Sequence, residues 1–191
     1  MRLSDEHLLT TPTMSHKGRL RAEQIVKTSS QTGEGLDGRP SSELKMHLAI
    51  YRTRPDVNAI VHAHSPYAVG LTVAGHSLAR PAVPEAIQLL GSVPTVPYAS
   101  PTTSDVADAV APIAAHHDAF ILERHGTVAL GSDLDQAMSR VEIVEHTAKI
   151  TAIAMSVGRA TPIPEAEAER LRAMSVAAGL LRPRPNGGEL G

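Results

Sequence analysis

The chain contains no cysteine. That excludes disulfides, thiolate nucleophiles and zinc–thiolate sites, and it fits a reducing, cytoplasmic setting. Any metal must be held by His, Asp or Glu. Aromatic residues make up only 2% of the chain, so the core must be built from Ala, Val, Leu and Ile. Polar residues interrupt every apolar run before it reaches the length of a bilayer span. The first residues, Met1 to Glu6, lack the apolar centre of a signal peptide. The formal net charge is -2 and the basic residues are scattered, so no basic patch points to nucleic acid and no polybasic helix points to a membrane surface. A length of 191 residues fits one domain, taken as residues 1–178, better than two. Residues 179–191, with Arg-Pro-Arg-Pro-Asn-Gly-Gly, have the composition of a disordered tail.

Helices and short strands alternate along the chain. Glu6 to Thr10 reads as an edge strand that ends in the turn Thr11-Pro12-Thr13, and residues 28–40 read as a Gly/Ser/Thr-rich loop or loose hairpin. Ser41 and Ser42 are N-cap candidates for a helix over Leu44–Arg54 with Glu43 in its first turn. Leu44, His47, Leu48 and Tyr51 share one face of that helix, and Pro55 stops it. Asn58 to His64 reads as a strand, Ser65 to Thr72 as a helix and Val93 to Tyr98 as an extended segment. A helix capped by Ser104 or Asp105 follows. Ala119–Arg124 and Thr127–Leu130 read as two strands turning at His125-Gly126. Helices over Asp133–Val157 and 165–178 complete the pattern. Strands joined by tight turns imply a mostly antiparallel sheet covered by helices.

Chemistry is concentrated in a few positions. His62 and His64 are two residues apart on a strand, so both point to one face, as a metal that needs convergent nitrogen ligands requires. Two ordinary polar residues at a strand end would read the same way. His125, beside the small Gly126, is the candidate third ligand or a simple turn residue. Glu43 is the candidate fourth ligand and base, or an acid that offsets the dipole at a helix start. Three imidazoles and a carboxylate suit zinc or another first-row divalent ion. His116 and His117 read as solvated and His146 as an ordinary helix residue. His7, His16, His76 and Glu85 have no evident role, and Gly33-Glu34-Gly35 lacks the strand–helix frame of a nucleotide loop.

Taken together, Ser41-Ser42-Glu43, the run Met46 to Tyr51, and Arg54-Pro55-Asp56-Val57-Asn58-Ala59-Ile60-Val61-His62-Ala63-His64-Ser65-Pro66 resemble the signature of the class II aldolase/adducin family. Arg124-His125-Gly126 is similar to the family's His-Gly element, and the resemblance runs from about Leu9 to Val157. It implies an α/β, three-layer fold with a central, mostly antiparallel sheet flanked by helices. It implies that His62, His64 and His125 bind a divalent cation, usually zinc, and that Glu43 joins or leaves the metal and moves a proton. Tyr98, in Val96-Pro97-Tyr98-Ala99, matches the tyrosine that serves as acid/base from a neighbouring subunit, so a homotetramer with sites at subunit contacts is implied. Thr13, Ser41 and Ser42 match phosphate-binding positions, although Met14 stands where the family has glycine. Met1 falls just after the point where the family's Gly-Asn phosphate loop would end, so one wall of the phosphate pocket is expected to be missing from these residues.

The activity implied first is cleavage of a small ketose 1-phosphate by a metal-dependent aldolase, through an enediolate that the metal stabilises. The alternatives are decarboxylation or dehydration of a sugar acid or ketose phosphate, and a non-catalytic assembly module like the adducin head. The complete histidine set favours an enzyme.

Overall fold

The computed structural model describes residues 1–183; the rest of the expected tail, 184–191, lies outside the described residues. The central sheet has four strands: β3 (Ala59–Ala63), β4 (Thr95–Val96), β5 (Ala119–Leu122) and β6 (Gly126–Gly131), in the order β3-β6-β5-β4. The pairs β3/β6 and β6/β5 are antiparallel, and β4 adds in parallel at the edge. A separate antiparallel ribbon joins β1 (His7–Thr10) to β2 (Val26–Ser29).

The sheet is covered on both faces, and the period-2 alternation of strand side chains assigns each residue to its layer. Ile60, Phe120, Leu122, Val128 and Leu130 face helices α1 (Leu44–Thr53) and α4 (Ser104–Ala114). Val61, Ala63, Ala119, Ile121 and Ala129 face α2 (Pro66–Val73), α3 (Pro84–Leu90) and α5 (Leu134–Val157). The small residues dominate this second face and let α5 lie close to the sheet. Phe120, the single phenylalanine, is fully buried in the α1/α4 layer. Each buried Val, Leu or Ile contributes roughly 1.5–3 kcal/mol. A last helix, α6 (Glu165–Ala177), packs Ala168 and Leu171 on Ile87 of α3.

Several expectations need correction. Residues 28–40 are not all loop, because β2 runs to Ser29 and supplies the partner of β1. Neither serine is the N-cap of α1. Glu43 occupies that position, outside the first turn, and the Ser41 hydroxyl instead accepts from the Glu43 backbone N–H at 3.3 Å. The buried surface of α1 is wider than the Leu44/His47/Leu48/Tyr51 stripe and includes Met46 and Ile50. At α4 the N-cap is Thr103, with no side-chain bond, rather than Ser104 or Asp105. The β5–β6 turn is the three-residue loop Glu123-Arg124-His125, closed by the Leu122/Gly126 pair, so His125 belongs to the loop and Gly126 to the strand. His117 is half-buried and lies 3.4 Å from the Ser92 hydroxyl, so it is not simply solvated. His7 meets Ser4. The short α3 and β4 were missed as elements because proline punctuates that region without a long periodic run.

One end of the sheet is anchored by a buried ion network. Arg54, 4% exposed, follows the last turn of α1. It donates to both carboxylate oxygens of Asp56, to the Ala114 carbonyl of α4 and to Asp118 at the start of β5, all at 2.8–2.9 Å. Asp118 also receives Arg140 of α5 at 3.0 Å and Arg182 at 3.2 Å. Removing one member of such a network leaves a buried charge without its partner. Arg54→Met is therefore expected to lower unfolding stability by about 3 kcal/mol, read by chemical denaturation. A loss under ~0.5 kcal/mol, the scale of an exposed pair, would contradict the anchoring role.

Candidate metal centre

The end of the sheet opposite the Arg54 network carries the histidines. His62 pairs with Val128 across the β3/β6 ladder, on the same sheet face as Ile60, and His64 follows the strand's last residue with the same parity. Pro66 then opens α2, where a missing amide proton costs nothing. Glu145 of α5 accepts from the amides of Tyr67 and Ala68, both at 3.0 Å, and so places a carboxylate at the positive end of α2. This fixes the chain just after His64. At the other end of α2, the Thr72 hydroxyl accepts from the Arg124 N–H at 2.9 Å. Arg124 takes φ +59, an uncommon conformation for a side-chain-bearing residue, and turns the loop so that His125 faces back toward the pair. One helix thus braces both histidine segments.

Glu43, His62, His64 and His125 bring one ligand atom each within 4.8 Å of one another. The three rings lie 4.9–5.2 Å apart between centroids. Glu43 bridges two of them, with Oε1 at 2.9 Å from His125 Nε2 and Oε2 at 3.1 Å from His62 Nε2. The protonation of His62 decides what this cluster wants. Its Nδ1 lies 2.9 Å from the Thr127 carbonyl oxygen, which can only accept, so Nδ1 carries the proton. This leaves Nε2 to face the carboxylate. Nε2 is buried and makes no hydrogen bond despite the short distance to Glu43. A buried imidazole nitrogen facing a carboxylate calls for a cation between them, a proton or a metal ion, and a His donating its other nitrogen to a carbonyl is the usual support for a metal ligand.

The charges agree. The Glu43 carboxyl is held down to about 2, first by the His62 contact and further by His125 and His64, against burial, which would raise it. Burial lowers the His125 imidazole below its ordinary value, against Glu43, which raises it. The cluster therefore offers an anionic oxygen beside three imidazoles. Gly126 is required by space: a Cβ there would sit 2.6 Å from the Ala63 carbonyl and 2.9 Å from the His62 ring.

A cavity of about 440 Å³ opens beside Glu43 and His62, with Lys17, Ser41 and His47 also in its wall. The His47 imidazole, one turn along α1 from Glu43, is pushed down to about 3 by burial first and by His62 second, so it stays neutral. The other expected residues are more scattered. Thr13 lies near Ser41 because Pro12 pairs with Pro40 and the Thr13 N–H donates to the Arg39 carbonyl at 3.1 Å. Ser42 is exposed. Tyr98 is outside the cluster and 59% exposed, although its backbone N–H donates to Glu123, two residues from His125, at 3.0 Å. Sequence reasoning missed the supporting residues Thr72, Thr127 and Glu145. Each acts through a contact distant in sequence, and none carries a local signal. His47 was read only as part of a packing stripe.

Comparison with known proteins bears on the same residues. Residues 1–152 match the Class II Aldolase and Adducin N-terminal domain. The chain belongs to this family. It is 38% identical over 153 residues to 3-oxo-tetronate 4-phosphate decarboxylase of Escherichia coli K12, covering 78% of this chain and 72% of that one. It is 39% identical over 152 residues to the L-fuculose phosphate aldolase of Methanococcus vannielii, covering 80% and 82%. The crystal structure of YgbL from Escherichia coli superposes with a TM-score of 0.82 at 35% identity, over 90% of this chain and 84% of that one. The likeness confirms the expected α/β architecture of the class II aldolase family. Among the described residues, no helix is long and apolar enough to cross a membrane.

Two outcomes are expected. His62→Ala and Gly126→Ala should both reduce bound divalent metal in the purified protein, read by elemental analysis. The alanine at 126 acts by displacing the His62 ring. Unchanged metal content in His62→Ala would contradict the site. Protons compete with a cation for imidazole nitrogen, so metal should be retained at pH 7 and released as the solution is acidified through the imidazole range. Release on alkalinisation instead would point to other ligands.

Proposed function

We propose that the chain is a metal-dependent decarboxylase acting on a small, phosphorylated 3-oxo sugar acid, with zinc or a similar first-row dication held by His62, His64, His125 and Glu43. The observation that carries this reading is the lone acid/base group of the cluster, Glu43, set among imidazoles that serve as ligands. The 38% identity to a 3-oxo-tetronate 4-phosphate decarboxylase supports the same choice.

Proton counting separates the candidate reactions. Loss of CO₂ from a 3-oxo acid breaks the bond between the carboxylate and C2, and the bonding electrons move toward the 3-oxo oxygen. One proton must then be delivered to C2, and none need be removed from the substrate. Retro-aldol cleavage needs two transfers, since a base removes a hydroxyl proton and an acid protonates the carbon left behind. A dication held by His62, His64, His125 and Glu43 would supply Lewis acidity toward a carbonyl substrate. Glu43 is ionised at rest and serves as a ligand. Once turned away from the imidazoles that depress its pKa, Glu43 would relay a proton from solvent to C2.

The aldolase reading is favoured by a different observation, the 39% identity to an L-fuculose phosphate aldolase. It requires a second acid/base group, and Tyr98 would supply it from a neighbouring copy in a homotetramer, since its side chain is exposed in its own chain.

One experiment discriminates. The metal-loaded protein is incubated with phosphorylated 3-oxo acids and with ketose 1-phosphates, and CO₂ and aldehyde are measured separately. CO₂ release without aldehyde is expected, with Glu43→Gln reducing it at least about 100-fold, the scale of a lost general acid, and Tyr98→Phe within about threefold of wild type. Aldehyde release that Tyr98→Phe abolishes would establish the aldolase reading instead.

A further inference from the structure

We propose that Lys17 binds the substrate's phosphate group and sets the preference for a phosphorylated over an unphosphorylated 3-oxo acid. The identity of the substrate rests on the decarboxylase reading above; the anion site does not.

Lys17 is the one lysine or arginine side chain among the described residues that line the cavity beside Glu43. It stands on the turn after β1, which is stitched to the segment before α1. Pro12 pairs with Pro40, and the Thr13 N–H donates to the Arg39 carbonyl. The Lys17 ammonium folds back onto this turn, donating to the Pro12 carbonyl and, at 3.2 Å, to the Ser15 hydroxyl. An ammonium has three donors, so one is left for a ligand once these two are engaged. Burial pulls the ammonium pKa down while Glu43 pushes it up, which places Lys17 within electrostatic reach of the metal cluster.

Ser41 and Thr11 line the same cavity and bring it no charge. Between Thr13 and Lys17, Met14 takes φ +51 with its side chain 97% exposed, and it brings no polar group to the turn. The Met1 amino group also lines the cavity, but it donates to the Leu9 carbonyl at 2.8 Å and burial lowers its pKa to about 6, so the positive charge that a phosphate calls for falls to Lys17. Such charge-assisted hydrogen bonds are about twice as strong as neutral ones.

The reaction decides which of the substrate's two anions Lys17 serves. The carboxylate loses its charge as CO₂ departs, so a cation on it would stabilise the ground state more than the transition state and slow the step. The phosphate keeps its charge throughout. A lysine on the phosphate binds both states equally and lowers KM without changing kcat.

The test uses the metal-loaded protein, wild type and Lys17→Met, with Lys17→Arg as the charge-conserving variant. Inorganic phosphate binding is measured by titration calorimetry, and KM and kcat are measured with a phosphorylated 3-oxo acid and its dephosphorylated counterpart. Lys17→Met should weaken phosphate binding about tenfold or more, as loss of a charged hydrogen bond requires. It should raise KM for the phosphorylated substrate by a similar factor, with kcat within about twofold and no change for the dephosphorylated compound. Lys17→Arg should recover most of the loss. Equal phosphate affinity in wild type and Lys17→Met, no phosphate binding by wild type, or a fall in kcat at constant KM would each overturn the proposal. Weakened phosphate binding with no CO₂ from any oxo acid would uphold the anion site and discard the decarboxylase reading. CO₂ release with a KM indifferent to Lys17→Met would do the reverse.

Discussion

The register between β3 and β6 is the constraint on which the centre depends. Pairing His62 with Val128 and Ala63 with Thr127 sets the Thr127 carbonyl against His62 Nδ1 and fixes which nitrogen faces Glu43. The same pairing brings the end of β3 beside the start of β6, where the loop carrying His125 begins. A slip of one residue would turn His62 and His64 into the α2/α5 layer and send Val61 and Ala63 toward Glu43. The core opposes such a slip, because large residues fill one face of the sheet and alanines lie under α5 on the other. Hydrophobic packing therefore maintains a polar arrangement in which it takes no direct part.

Much of this was legible in the sequence. His62 and His64 could be placed on one face because a strand has a period of two and β-branched residues mark it. Glu43 could be placed near them because a proline ends α1 only a few residues before the histidine strand. The boundaries of α1, α2 and α5 followed from Pro55, Pro66 and Asp133, residues whose local chemistry leaves little choice. What sequence could not show depends on contacts between distant segments. Thr127 gives only a backbone carbonyl, which any residue provides. Thr72 and Glu145 act across the α2/α5 layer, and an isolated threonine or glutamate looks like any surface residue. The capping of α1 was misread because Ser41 and Ser42 have the right side chains, yet the chain enters so that Glu43 takes the position. β2 was hidden in a polar segment because its ribbon partner, not its own pattern, makes it a strand.

The site joins two kinds of recognition. The imidazoles and Glu43 suit a dication and, through it, the oxygens of a carbonyl compound. The turn after β1 brings Thr13 near Ser41, with Lys17 at the cavity wall. The two regions meet at Glu43, whose backbone is tied to Ser41 and whose carboxylate reaches the histidines. Relatives named as decarboxylase and aldolase both resemble this chain at nearly 40% identity.

Helix α1 is held at both ends. Arg54 locks its last turn into the network with Asp56, Asp118 and the end of α4, and Ser41 and the cluster hold its first. Glu43 therefore cannot leave the cluster by sliding of the helix. It must swing about its own side-chain bonds while the backbone stays still. A departure of this carboxylate from the histidines is therefore a local side-chain event, not a movement of the helix.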